Sequence, residues 1–584
     1  MLAEASDFDE LLLPVPPSGN AEPPAVVTVP ATAGGEQAFG AFDGAERFDK
    51  QLGNWQPRLN SADLDIIPDK PLADARARDL MRNDAFLQGG ANLHRDNIVG
   101  SQFLLNAKPS SRILFGKTDE QWETDFQEEV EELFDLLSES PDNLFDASGV
   151  NTFTGLIRLA VGIHVMAGEM LGTVEWIKDG RPFNTAIQMI DVDRLQSPPL
   201  MAFDSQVRAG VRRDRRGRPV SYFIRKTHPQ DYLPFYPILS TLDQYVEVPA
   251  TKPWGRKQVI HLFEQTRPDQ TRGIAAMTAA LKEMHITHRF RDVTLQNAVT
   301  QALYAAAITS DMPTEAIMQR MGGQTDAEAF ENAITSYTTG YMNTVAEFSG
   351  ASRNLKADGV RIPHLLPGTK LEMISPGKGG PLGMEFEQSL LRYIAAALGV
   401  SYEQLSRDYT NTNYSSARAA MTETWKFMQA QKKIIADRFA TIMYRLWLEE
   451  MVNADMLKTF PKAKVGMLYT GNTNSGGRLN VMFEALSRCD WIGASRGQID
   501  ELKETQASVL KMNNGLSTLE DEIAKQGGDW RKTLRQIKRE QAMKDALGIL
   551  QQPTDTSSMM NAANGQPTDQ PNPDGSKTSK KKAA

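Results

Sequence analysis

From Ser415 to Met451 the chain contains neither glycine nor proline. These are the two residues that most reliably stop a helix, so a stretch this long without them predicts one continuous helix. At 1.5 Å per residue it would extend roughly 55 Å. That exceeds a small domain, so the helix is expected to lie against other layers or other subunits. A second stretch, Ile274 to Asp311, also lacks both residues and is rich in Ala, Leu and Met, which predicts another long helix. A third helix is predicted over Met384–Leu398, stopping at Gly399.

The segments between these helices are less regular. Residues 312 to about 375 hold a helical piece near Ala327–Met342, then Pro363, Pro367, Gly368 and, just beyond, Pro376. Within them Lys370–Ile374 alternates like a strand. Ser406 to Asn413 is polar and has no apolar periodicity, so it reads as a solvent-facing loop. Toward the beginning, Thr118-Asp119-Glu120-Gln121 reads as a capping box. The helix behind it would place Trp122, Phe126, Val130, Leu133, Phe134 and Leu137 on one face. Residues of about 161 to 263 read as strand-rich, with a turn at Asp214–Pro219 leading into a strand that holds Tyr222 and Ile224. Toward the end, three short helices are expected, starting near Arg496, Leu516 and Asp529. The class is therefore α+β. The Pro/Ala/Gly/Glu-rich residues 1–45 and the Gln/Pro/Asn/Ser-rich residues 551–584 cannot bury a core and are expected to be disordered.

Charge and motifs exclude several functions. The net charge of -9 argues against a protein that coats DNA, which would need dense Lys and Arg to displace counterions. The single cysteine, Cys489, cannot form an intrachain disulfide or a cysteine-rich metal site, and suits a reducing compartment. Leu11–Leu13 is too short an apolar run for a secretory signal, and no run of about 18 apolar residues exists, so no membrane contact is expected. There is no G-x-x-x-x-G-K-[ST] and no H-E-x-x-H, so neither a nucleotide-driven motor nor a common zinc site is expected, and no cofactor or metal.

Three further patterns have a functional and a plainer reading. Gly493-Ala494-Ser495-Arg496-Gly497 matches the nucleophile elbow G-x-S-x-G, but no histidine follows position 364, and a turn before a helix suffices. His285 and His288 share a helix face, yet two ligands do not hold a metal. Arg208, Arg212, Arg213, Arg215, Arg216 and Arg218 form the densest basic patch. Such a patch can bind phosphate, but it also suits a solvated hairpin or an acidic neighbouring subunit, and no stacking aromatics accompany it.

An ordered set of segments resembles one family. Glu387–Arg407 and Tyr414–Ala419 closely resemble the lambda-type portal family of tailed bacteriophages. So do Ala75–Asn83, Asp96–Ser101, Gln270–Gly273, Ile362–Gly368 and the stretch from Cys489–Gly493 to Gly515–Thr518. The resemblance runs from about residue 46 to 535. It implies a portal fold: a mixed α/β wing at 46–270, a first stem helix at 271–311, a clip at 312–378 and a second stem helix at 379–398. A tunnel loop at 399–414, a long wing helix with return strands at 415–488 and a helical crown at 489–550 would follow.

The resemblance further implies a non-enzymatic ring of about twelve subunits. The ring would occupy one vertex of the virion capsid after assembly in the host cytoplasm. Its partners would be double-stranded DNA, the terminase large subunit, major capsid and scaffold proteins and a head-tail connector. In the tunnel loop Gln404, Arg407, Asp408, Asn411 and Asn413 are the candidates to face DNA. The plainer reading of these residues is a capped turn between two helices. A hydrolase using Ser495 and a head-tail adaptor are the alternatives, although adaptor subunits are usually far shorter.

Overall fold

The computed structural model describes residues 54–201, 203–229, 244–304, 384–410, 412–470, 478–497 and 500–548, with a few short pieces between 335 and 362. The chain divides into two compact units, residues 1–60 and 61–584. Of the first, only 54–60 are described, and they carry neither helix nor strand. The expected disordered ends, the helical piece near Ala327–Met342 apart from four of its residues, and the strand at Lys370–Ile374 lie outside the described residues.

The second unit opens with α1 (Ala62–Ile66), α2 (Lys70–Asn83) and α3 (Ala85–Ile98). Strand β1 (Leu104–Ala107) and α4 (Ser111–Phe115) lead to α5 (Glu120–Ser138). Helix α5 buries Phe126, Val130, Phe134 and Leu137, as its spacing requires, with Trp122 and Leu133 partly covered. Its cap lies one residue beyond the expected box: Asp119, not Thr118, accepts from the Trp122 N–H at 3.0 Å. A carboxylate at that position also suits the positive end of the helix dipole.

Helix α6 (Phe153–Ala167) runs through the start of the stretch read as strands. Its largely apolar composition gave too weak a periodicity to separate buried helix from buried strand. Beyond it, β2 (Glu169–Trp176), β3 (Thr185–Ile190), β4 (Val207–Arg208), β5 (Val211–Arg213), β6 (Pro219–Arg225), β7 (Tyr245–Pro249) and β8 (Val259–Phe263) form two antiparallel sheets. Their orders are β3-β2-β8 and β4-β5-β6-β7. The predicted turn at Asp214–Pro219 joins β5 to β6, and Tyr222 and Ile224 are buried in β6.

The helix expected from Ile274 begins later, as α7 (Leu281–Tyr304), after a 3-10 turn at Ala276–Ala280. The cause is a distant contact. A Cβ on Gly273 would lie 2.2 Å from the Gly168 carbonyl oxygen, so the backbone is pressed onto the end of α6 and leaves it extended, with Ala275 at φ -67° and ψ 136°. Residues 305–311 of that predicted helix lie outside the described ones.

Two short hairpin strands, β9 (Leu355–Ala357) and β10 (Val360–Ile362), precede α8 (Met384–Leu398), which keeps the predicted bounds. A short helix α9 (Tyr402–Ser406) and the polar loop lead to α10 (Tyr414–Gln431). Helix α10 continues through a π-turn (Lys432–Ala436) into α11 (Asp437–Asn453), so the long predicted helix is present but carries one register change. At that change the Lys432 ammonium donates to Asp437 and to the Trp491 carbonyl, each at 2.8 Å.

The remaining elements are β11 (Tyr469–Thr470), β12 (Arg478–Leu479), α12 (Val481–Leu486) and β13 (Cys489–Ile492), then α13 (Glu501–Asn513), α14 (Leu519–Lys525) and α15 (Trp530–Ala546). Helices α13 and α14 start a few residues later than expected, where Asp500 and Thr518 supply the capping oxygens. Strand β13 pairs antiparallel with β1, so a core strand joins segments far apart in the chain. Around it Phe134, Phe153, Trp447 and Trp491 form an aromatic centre with ring centroids 5.0–5.9 Å apart. No helix among the described residues is long and apolar enough to cross a membrane.

Candidate functional site

The polar loop between α8 and α10 is held from both sides by buried structure. Helix α8 buries Leu391, Ile394, Ala395 and Leu398. The Leu398 carbonyl lies 2.9 Å from Nε2 of the buried His94 on α3, and burial pushes that imidazole down to about 4, so it is neutral at pH 7 and donates from Nε2. Gly399 then turns the chain at φ +66°, and a Cβ there would sit 2.4 Å from the Phe427 ring on α10.

Gly399→Ala should therefore cost about 2–4 kcal/mol, combining left-handed strain with overpacking. Urea unfolding of the full-length protein measures this. A change below about 1 kcal/mol would mean that Phe427 can move aside.

Next, Ser401 and Gln404 form a capping box for α9. Gln404 N–H donates to Ser401 Oγ at 3.3 Å, and Ser401 N–H donates to Gln404 Oε1 at 3.4 Å. Asp408 Oδ1 accepts from the N–H of Thr410 at 3.1 Å and from its hydroxyl, and these bonds hold the carboxyl below its ordinary range. Asn413 caps α10, accepting from the Ser416 N–H at 2.8 Å. Three of the five candidate side chains thus shape the turn. Asn411 lies outside the described residues.

Arg407 is different. It ends α9 in the left-handed conformation, φ +57°, is exposed, and has no hydrogen-bond or ion-pair partner among the described residues. The loop therefore presents an unpaired cation on a turn fixed by caps and by a glycine in the left-handed region. Such a turn can offer a charge to a passing polyanion without reorganising.

The other patterns resolve more plainly. Ser495 is exposed in the loop after β13, whose sheet has two strands, so the elbow's buried central strand is missing. His285 is exposed, while His288 lies 3.8 Å from Asp84 and 3.7 Å from Asp292. Within the arginine cluster, Arg212 pairs with Glu247, and Arg208 and Arg213 approach the buried Asp63. Arg215, Arg216 and Arg218 at the hairpin tip are all exposed. Asp191, Asp193 and His228 bring ligand atoms within 4.8 Å of one another, but the Arg78 guanidinium already pairs with both carboxylates.

Sequence reasoning missed a buried charged centre. Glu169, fully buried at the start of β2, accepts from Arg272 Nε at 2.8 Å and Nη2 at 2.5 Å and from the Gly273 N–H at 2.8 Å. His261 and the Lys70 ammonium lie 3.0 and 3.3 Å from it. Arg272 also donates to the carbonyls of Val192, Leu195 and Ala209. Burial works against the Glu169 anion, but Arg272 and Lys70 outweigh it and hold the carboxyl well below its ordinary range. Asp74, which shares Lys70, goes the other way: burial raises it to about 6.

Residues 48–432 match the family described as "Phage portal protein, lambda family". Portal protein B of Escherichia phage lambda is 33% identical over 511 residues, covering 87% of this chain and 91% of that protein. The portal protein of Escherichia phage N15 is similar to the same extent. A chain from the virion of a native gene transfer agent particle aligns over 75% of this chain and 89% of its own at 14% identity and a TM-score of 0.35, too loose to bear on the fold.

Proposed function

The chain belongs to the lambda family of phage portal proteins, and from that premise we propose that about twelve copies close into a ring at one capsid vertex, through which double-stranded DNA is packaged and later ejected. As a portal protein it is a structural component of the phage particle and not an enzyme. In the proposed assembly, residues 46–270 form the wing, 271–311 and 379–398 the stem helices, and 312–378 the clip. Residues 399–414 form the tunnel loop, 415–488 the long wing helix with its return strands, and 489–550 the crown. The clip docks the terminase large subunit and later the head-tail connector. Major capsid and scaffold proteins meet the ring during assembly in the host cytoplasm.

The observation that carries this reading is the loop at 399–414. It is braced on one side by His94 and Phe427 and exposes Arg407 on the other. A conduit needs such sparse contacts. DNA must slide, and each tight phosphate contact would act as a brake; a net charge of -9 keeps those contacts few. Gln404, Asp408, Asn411 and Asn413 would act mainly by setting the height and stiffness of the turn, and Arg407 by touching the backbone.

Mass measurement and electron micrographs of the purified full-length protein test this reading. The expected result is a ring of about twelve chains with a central hole and no ATP hydrolysis. A stable monomer at assembly concentrations would overturn it.

A further inference from the structure

A groove of about 720 Å³ opens between the end of β7, the Thr251–Lys257 turn, α11 and α12, far in sequence from the loop. Ile442, Leu446 and Phe483 are part of its apolar lining. Five cations line it, Arg218, Lys252, Arg256, Lys257 and Arg445, against two carboxylates, Glu449 and Glu484. Both carboxylates are already committed. Glu484 takes a bidentate pair of bonds from Arg445 at 2.6 and 2.9 Å, and Glu449 pairs with Arg256 at 2.6 Å.

That leaves Arg218, Lys252 and Lys257 without an ion pair among the described residues. Arg438, exposed on α11, adds a fourth such cation whose charge acts on Lys257. Partial desolvation, together with repulsion from Arg218, Arg438 and Arg445, pushes the Lys257 ammonium below its ordinary range, although the residue as a whole stays exposed. Like charges gathered in a concavity oppose folding unless something offsets them, and this happens in a chain with an excess of acidic residues. Arg215 and Arg216, at the adjoining β5–β6 hairpin tip, carry the positive surface outward from the groove.

We propose that this groove binds phosphate oxyanions through Arg218, Lys252, Lys257 and Arg438, and that in the particle the phosphates are those of the DNA backbone. The lining favours this over an acidic protein surface. Centres of protein interfaces are depleted in lysine, although arginine and aromatic residues are common there. Two of the unpaired cations here, Lys252 and Lys257, are lysines, and lysine and arginine dominate contacts to phosphate. The inference does not rest on the channel reading, because binding here needs neither the ring nor the loop.

The test uses the full-length protein, inorganic phosphate and a short fluorescein-labelled duplex. Lys257→Gln/Arg218→Gln is compared with wild type and with Arg407→Gln, which leaves the groove intact. Removing a repelled cation should not impair folding, so the groove variant is expected to stay folded.

In wild type, phosphate should raise the melting temperature above chloride of equal ionic strength, and in the groove variant that difference should vanish. Duplex anisotropy across a salt series should show the slope of log K against log salt reduced by about 0.9 for each of the two cations replaced. The Arg407→Gln protein should keep the full phosphate response, and any loss of duplex slope there should not exceed that of the single cation replaced, about 0.9. A phosphate response without a duplex response would support the site and assign it to small phosphates. Unchanged melting differences and unchanged slope would overturn it. So would a groove variant that loses ring mass while binding duplex normally, since the groove would then face an acidic surface of a second copy.

Discussion

Glu169→Ala should destabilise the protein by about 3–5 kcal/mol, the cost of stripping the partner from a fully buried charge pair. The substitution leaves the Arg272 guanidinium and the Lys70 ammonium in a site with no solvent exposure at position 169, facing each other without the carboxylate between them. It also orphans the Gly273 N–H, which donates to that carboxylate. An exposed pair is a useful contrast. Arg535 bridges Glu128 and Glu132 with its side chain 38% exposed, and losing it should cost less than about 1 kcal/mol. Salt should weaken the second effect and leave the first nearly unchanged.

Urea unfolding of wild type, Glu169→Ala, Arg272→Met and the double variant closes a cycle. The double variant is expected to be less destabilised than the sum of the singles by about 1–3 kcal/mol. Additive losses, or a Glu169→Ala cost under about 1 kcal/mol, would mean that water reaches the centre and replaces the carboxylate. The consequence extends beyond stability. Arg272 and Gly273 fix where the chain leaves the sheets for α7, so loosening Glu169 should loosen the start of that helix.

The elements that were legible in the sequence are those whose signals are local. Met384–Leu398 combines an apolar stripe with a glycine stop, and Gly399 takes the left-handed conformation that such a stop needs. The buried face of α5 followed in the same way from its spacing. The 3-10 turn before α7 was not legible, because its cause is a contact with Gly168, far earlier in the chain. The charged centre was hidden for a similar reason. Lys70, Glu169, His261 and Arg272 come from four separate segments, and each alone reads as an ordinary surface residue.

For the loop, the sequence indicated a polar turn between helices and left open which side chains face outward. One signal was available and went unread. Ser401-Tyr402-Glu403-Gln404 is a capping-box pattern, and it commits Gln404 to the turn. The role of Arg407 as the loop's unpaired cation became visible only once the caps of Asp408 and Asn413 had been placed.

Arg407→Glu is the change expected to affect DNA most while affecting the fold least. Arg407 is exposed, contributes no hydrogen bond or ion pair among the described residues, and sits at φ +57°, a strain that glutamate would bear equally. Nothing buried is lost, so rings and procapsids should form in normal yield. The charge at each position changes by two units, and a ring of about twelve copies multiplies that to about 24 around the channel. Asp408, whose carboxyl is already held ionised by Thr410, stands beside each new carboxylate.

Phosphates passing within a Debye length of about 10 Å would meet a collar of negative charge, which both opposes entry and removes the transient grip. Full-length DNA should be packaged or retained poorly, with Arg407→Gln intermediate because it removes attraction without adding repulsion. Procapsid yield and packaged DNA length, measured separately, distinguish the alternatives. Normal packaging and retention by Arg407→Glu would show that the loop does not meet DNA. Loss of the ring would show that Arg407 pairs with an acidic group on the neighbouring copy, making it an assembly contact and leaving DNA contact to other parts of the subunit.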